Sequence, residues 1–417
     1  MTSLSFSSVA GSRARRLLLI TPLVAALACG ARASGPARTA SAGSDGVPTA
    51  SAQPSQEPSP ATHEAAAAAP SAAAEPCTTE PEPAGTPSAL PAAGYDRWLH
   101  GYPYPYPVRR LPLVVQGRPL CLAYMDVLPA APNGHVVLLL HGKNFSGAYW
   151  RATADALLAS GYRVVLPDQI GFGKSSKPVD IQYSFALLAQ TTARLLDQLG
   201  VARVSVVGHS MGGMLATRWA TQYPERTDHL VLVNPIGLED YRRTLPYLGV
   251  EAWQAQASRQ TPDAIRDYMR RSYFHDSWQE TYDPLLDIQA GWATGPDRDV
   301  MARVSALTQD IIYTQPVIYD FPFVRVPTLL VIGQADRTAP GKADVEPAVA
   351  QRLGDYPRLG DAAARAIPGA KLVRLAGVGH VPQFEAFEQW QSALLSFLPA
   401  GARGGTPSRP AAESGAR

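Results

Sequence analysis

The sequence predicts an α/β domain: a mostly parallel central sheet flanked by helices, with a helical segment inserted after the sixth strand. Three observations carry this expectation. Short apolar runs such as Val136–Leu140 and Val204–Val207 alternate with stretches of helical periodicity. Several runs are apolar at consecutive positions, as strands covered on both faces of a parallel sheet must be. The alternation breaks over residues 237–323, which are helical in pattern and rich in Tyr, Trp, Phe and Arg, and then resumes.

In chain order, Arg13, Arg15 and Arg16 precede the apolar segment Leu17–Ala28, the n-region and h-region of a secretory signal. That segment is too short for a comfortable transmembrane span. Two processing sites compete within residues 1–33. Ala26-Leu27-Ala28-Cys29-Gly30 resembles a bacterial lipobox, with cleavage before Cys29 and lipidation of its thiol, although alanine in the first place departs from the usual leucine. Ala31-Arg32-Ala33 offers an A-x-A site and a soluble exported product. The long polar stretch after Cys29 favours a membrane-anchored lipoprotein, with a periplasmic or secreted protein as the other outcome. Residues 34–94 are mainly Ala, Pro, Ser, Thr and Glu; such a composition buries too little apolar surface to offset ordering entropy and reads as a disordered tether. The domain then spans 95–399, and residues 400–417 read as a disordered tail.

Within the domain, the alternating Tyr-Pro run 102–107 reads as an extended strap packed on the rim. Val108–Val115 and Leu120–Asp126 flank Gln116-Gly117 as an antiparallel hairpin. Buried strands follow at Val136–Leu140, Arg163–Leu166, Val204–Val207, Leu230–Val233, Thr328–Ile332 and Leu372–Leu375. Helices are expected near residues 149–160, at 185–199, where Leu187, Leu188, Thr191, Leu195 and Leu199 share a face, and from the end of the Val204 strand to about Tyr223. Formal net charge is +2 with the signs interspersed, which removes the electrostatic case for nucleic-acid binding. The three cysteines have no C-x-x-C spacing, so neither a zinc site nor a dithiol motif is indicated. Pairing of Cys77 with Cys121 and two free thiols are both compatible with an exported chain.

The chemistry centres on Val204–Gly213, V-S-V-V-G-H-S-M-G-G. Gly208, Ser210 and Gly212 occupy the fixed places of a G-x-S-x-G nucleophile elbow, in which a tight strand-to-helix turn lifts the serine hydroxyl above the sheet. Further motifs follow the same order along the chain: H-G at 141–142, D-x-x-G-F-G-x-S at 168–175, G-x-A-D-R at 333–337 and G-H at 379–380. Together they resemble the α/β-hydrolase superfamily, in particular its cap-bearing serine hydrolases, which include esterases, carbon–carbon bond hydrolases and haloperoxidase-like enzymes.

The resemblance implies a serine–acid–histidine order. Ser210 is then the nucleophile, Asp336, after the Thr328–Ile332 strand, the acid, and His380, after the last strand, the base. The backbone N–H groups of Met211 and Lys143 are the expected oxyanion donors. Among competitors, His209 reads as a packing residue, His141 and Asp168 as structural, and Asp240 and Asp320 as acids less well placed than Asp336. Lys143-Asn144 departs from the apolar residue common in relatives; these side chains either line a polar pocket that meets a substrate carboxylate or are solvated. The implied function is hydrolysis of a small or medium carboxylic ester through an acyl-enzyme, with no metal or organic cofactor required. Carbon–carbon cleavage of a vinylogous diketone is the alternative within this chemistry, and a non-catalytic envelope binding protein is the alternative outside it.

Overall fold

A computed structural model describes residues 77–78, 80–86 and 90–400 of the chain. The expected signal segment, Cys29, most of the expected tether and residues 401–417 lie outside the described residues. Eight strands form one sheet: β1 (Arg109–Val115), β2 (Arg118–Val127), β3 (Val136–Leu140), β4 (Arg163–Pro167), β5 (Val204–His209), β6 (Thr227–Val233), β7 (Thr328–Gly333) and β8 (Lys371–Leu375). Their spatial order is β1-β2-β4-β3-β5-β6-β7-β8. The β1–β2 hairpin turns at Gln116 and Gly117, both with positive φ (49° and 78°), as a two-residue hairpin turn of matching twist requires. β2 pairs antiparallel with β4, and the pairings from β4 through β3, β5, β6 and β7 to β8 are parallel.

The consecutive apolar residues in these strands serve two cores. Along β3, Leu138 and Leu140 face one cluster, and Val137 and Leu139 face the other. β5 divides likewise, with Val204 and Val206 on one side and Val207 on the other. Alternating side-chain direction makes each residue a core residue of a different layer, and each buried aliphatic side chain contributes about 1.5–3 kcal/mol.

In chain order the helices are α1 (Arg151–Ala159), α2 (Phe185–Gln198), α3 (Met211–Gln222), α4 (Gly249–Ala257), α5 (Pro262–Ser272), α6 (Asp287–Thr294), α7 (Arg298–Thr314), the single turn α8 (Pro347–Ala350), α9 (Tyr356–Ala366), the single turn α10 (Pro382–Glu385) and α11 (Phe387–Phe397). α2, α3 and α9 cover one face of the sheet through residues such as Phe185, Trp219 and Leu359. α1 and α11 cover the other through Leu157, Trp390 and Leu394. α2 starts where Ser184 accepts a hydrogen bond from the Leu187 N–H, an N-cap that stabilises a helix by about 1 kcal/mol. Helices α4–α7 lie between β6 and β7, where the sequence breaks its strand–helix alternation. Part of this segment has a core of its own, built on Ile265, Met269, Phe274, Tyr282 and Leu285.

Ordered chain begins ahead of Tyr95, within the stretch whose composition reads as a tether. Glu82 pairs with Val108 as an antiparallel bridge, and Cys77 is disulfide-bonded to Cys121 of β2 with a Cα–Cα separation of 5.6 Å. The Tyr-Pro strap docks through buried aromatics. Tyr104 donates to the Asp168 carboxylate (2.7 Å), and Tyr95, Tyr102 and Tyr104 meet edge-to-face. Composition does not report these links, because they depend on a few specific partners and not on how apolar the stretch is as a whole.

Candidate active site

Ser210 stands between β5 and α3 with φ 55° and ψ −122°, a conformation that L-residues rarely adopt. The flanking glycines explain how the chain tolerates it. A Cβ on Gly208 would lie 2.2 Å from the Gly212 carbonyl oxygen, and one on Gly212 would lie 2.3 Å from that of Leu140. Neither position has room for any side chain, so the turn is available only to this small-residue pattern. The Ser210 hydroxyl is thereby held at the carboxyl ends of the parallel strands.

The three side chains expected to act together form one hydrogen-bonded line. His380 Nε2 lies 3.0 Å from Ser210 Oγ, and His380 Nδ1 lies 2.7 Å from Asp336 Oδ2. Asp336 and His380 are fully buried, and Ser210 is 5% exposed. A carboxylate only accepts, so Nδ1 carries the proton, and the Nε2 lone pair faces the serine hydroxyl, which donates to it. The acid is braced from two sides: Thr338 N–H donates to Asp336 Oδ1, and Asn234 Nδ2 donates to Oδ2, both at 2.8 Å. Asn234, which follows β6 directly and also accepts from Gly333 N–H, escaped the sequence reading, although its place just after a strand is where such a residue would sit.

The 141–145 loop lies against Ser210: a Cβ on Gly142 would sit 3.0 Å from Ser210 Cβ. Met211 opens α3, so its N–H is among the first-turn donors that no helical carbonyl satisfies. Lys143 follows Gly142 directly. Its ammonium is not solvated in the manner of a loop lysine; it reaches α7, donating to the Ser305 carbonyl (2.9 Å), Ser305 Oγ (3.1 Å) and Thr308 Oγ1 (3.2 Å). Burial lowers its pKa to about 7.

His209 packs in the interior and also joins the two halves of the site. Its Nε2 lies 2.8 Å from the His380 carbonyl oxygen and its Nδ1 lies 2.9 Å from the Tyr149 hydroxyl, which also accepts from Gly142 N–H (3.2 Å). Desolvation, reinforced by the neighbouring His380, holds the His209 pKa well below the usual imidazole value. The neutral ring has one donor, and the carbonyl requires it at Nε2. Nδ1 therefore accepts from Tyr149, and the line from Gly142 N–H to the His380 carbonyl has a single consistent assignment of protons.

The other competing residues have structural partners. His141 Nε2 accepts from Gln169 N–H, and Asp168 accepts from Tyr104, Gly147 N–H and Lys174 N–H. Asp240 pairs with Arg242, and Asp320 pairs with Arg218. The inserted segment touches the site directly. The Tyr273 carbonyl accepts from His380 N–H at 2.8 Å, and the Tyr273 and His380 ring centroids are 4.5 Å apart. Glu385, on α10, accepts from both Gly379 N–H (2.8 Å) and Val381 N–H (3.0 Å), fixing the turn that presents His380.

This arrangement can move a proton from a serine hydroxyl to an imidazole held in one tautomer by a carboxylate. The alpha/beta hydrolase fold family matches residues 135–387 of the chain. The protein belongs to this family. A probable hydrolytic enzyme of Pseudomonas aeruginosa PAO1 is 47% identical; the match covers 74% of this chain and 99% of that structure, with a TM-score of 0.73. A 2-hydroxy-6-oxononadienedioate/2-hydroxy-6-oxononatrienedioate hydrolase of Burkholderia vietnamiensis is 28% identical over 69% of this chain and 93% of its own length. Lipase 1 of Psychrobacter immobilis is 26% identical over 67% of this chain and 82% of its own length. Other curated relatives match over a shorter stretch, such as 33% of the length of an uncharacterized Mycobacterium tuberculosis protein. This alpha/beta hydrolase is accordingly an enzyme, and the class of its reaction is hydrolysis.

Proposed function

We propose that the protein is a serine hydrolase that cleaves a small or medium carboxylic ester. His380 removes the Ser210 proton as Oγ attacks the carbonyl carbon, and Asp336 holds His380 in the required tautomer. The Met211 and Lys143 amides stabilise the oxyanion, and His380 protonates the leaving alcohol. Water, activated by the same imidazole, then hydrolyses the acyl-enzyme. The reaction needs no metal or organic cofactor. One observation carries the proposal: the Ser210–His380–Asp336 line, with contacts of 3.0 and 2.7 Å inside a buried site. We further propose that the protein acts outside the cytoplasm, anchored by lipid on Cys29.

The Burkholderia vietnamiensis likeness over 93% of that hydrolase supports a second reading, carbon–carbon cleavage of a vinylogous diketone by the same three residues. Rates on a ring-cleavage product and on simple esters, measured side by side, separate the two. The shared chemistry is tested with a chromogenic ester: Ser210→Ala is expected to lower kcat by about 10⁴ or more while leaving the melting transition in place. Undiminished turnover would remove Ser210 from the mechanism.

A further inference from the structure

Lys143 has hydrogen bonds but no counter-charge. Its three acceptors, the carbonyl and hydroxyl of Ser305 and the hydroxyl of Thr308, are neutral, and no carboxylate pairs with it among the described residues. Burial without a counter-charge disfavours the charged form of this amine, and a facing carboxylate would restore it. If its task were only to tie the loop to α7, a neutral amide or hydroxyl would do so without that penalty. Ser305 and Thr308 line a cavity together with Asn144, the neighbour of Lys143. The same cavity is lined by Arg298, whose guanidinium is capped by the Ser258 carbonyl, and no Asp or Glu lines it. One cation, Arg298, and several neutral hydrogen-bonding groups thus bound a space that no acidic residue lines, and Lys143 reaches the same wall through its hydrogen bonds to Ser305 and Thr308. Its loop side, at Asn144, is two residues from Gly142, the position that abuts Ser210.

We infer that this cavity receives a carboxylate borne by the substrate's acyl chain, with Lys143 as its principal partner and Arg298 at the far wall. The inference rests on Ser210 being the nucleophile and narrows the ester class to half-esters of dicarboxylic acids. Lys143 starts beside the nucleophile and carries its charge four methylenes away. An acyl chain with a spacer of similar length brings its free carboxylate to the ammonium while its ester carbonyl meets Ser210. The carboxylate supplies the missing counter-charge, and the resulting charge-assisted hydrogen bonds are stronger than those to the hydroxyls. A neutral ester of the same length leaves the ammonium as it was, so discrimination of about tenfold to a hundredfold is expected.

Monomethyl adipate and dimethyl adipate test this on the full chain, with turnover followed by acid release. The wild type should show a kcat/KM at least about tenfold higher for the half-ester. That preference should collapse in Lys143→Met and survive in Lys143→Arg. A loss shared equally by both esters in Lys143→Met would reveal a structural tie and overturn the carboxylate site. Calorimetry with adipate on Ser210→Ala decides the site without turnover. Binding weakened about tenfold or more by adding Lys143→Met supports it, whereas absent or unchanged binding overturns it. Hydrolysis of neither ester by the wild type would count against the ester reading of Ser210, leaving the binding measurement to decide the carboxylate site.

Discussion

Tyr149 is the residue on which both sides of the site depend. Its hydroxyl accepts from Gly142 N–H in the loop beside Ser210 and donates to His209, which holds the His380 carbonyl. Tyr149→Phe keeps the ring, stacked on Phe145 at 4.8 Å, and removes only the oxygen. A buried N–H and a buried ring nitrogen are then left without partners, which costs about 1–3 kcal/mol each. The variant should melt at lower denaturant concentration and turn over an ester more slowly, with the loss in kcat and not in KM. A Tyr149→Phe enzyme with wild-type kcat and stability would show that the line through His209 plays no part. Legibility at this scale follows from how each residue is constrained. Gly208, Ser210 and Gly212 can be read in sequence because the turn excludes other side chains, and His380 and Asp336 because they stand just past strand ends. Tyr149, Asn234 and Glu385 could not be read in this way. Tyr149 and Asn234 act through partners far along the chain, Glu385 acts on the backbone of its own turn, and a single tyrosine, asparagine or glutamate beside a strand or helix has many ordinary explanations.

Among the elements, the strands were the most legible, since two-sided burial writes a continuous apolar run. The chain that precedes the Tyr-Pro strap was the least. It is secured by specific links: Glu82 pairs with Lys174 and Arg110, and Tyr95 N–H donates to the Gly291 carbonyl in α6. Lys174 is 1% exposed, and its ammonium otherwise has the Leu99 carbonyl as acceptor. Breaking a buried ion pair from one side leaves an uncompensated charge, at a cost of about 3–5 kcal/mol. Because Glu82 is partly exposed, Glu82→Gln should destabilise the domain by roughly 2–3 kcal/mol, towards the lower end of that range. Chemical denaturation of the variant checks this, and a change below about 0.5 kcal/mol, the range of ordinary surface substitutions, would mean this segment is only loosely attached. A tether-like composition conceals such a segment because one glutamate with two ion pairs and one disulfide cysteine are too few to alter an average over 61 residues (34 to 94).

For the whole molecule, the sheet and the inserted helices have separable tasks. The sheet brings the ends of β5, β7 and β8 together so that Ser210, Asp336 and His380 meet, and the insertion reaches the site through the Tyr273 carbonyl on His380 N–H, the Ser272 carbonyl on Thr338 and the Ser305 carbonyl on Lys143. The sequence motifs follow the sheet, so the reaction class was legible. The insertion supplies most of the residues that line the cavity, and its helical periodicity reports packing without reporting which side chains face that space. The central claim is that Ser210 is an activated nucleophile. A fluorophosphonate probe tests it most directly, because the reagent phosphonylates a serine only when a neighbouring base takes its proton. Intact-mass measurement followed by peptide mapping should find one adduct per chain on the peptide containing Ser210, absent from Ser210→Ala and strongly slowed in His380→Ala. A folded protein that takes up no label, or takes it up elsewhere, would contradict the account.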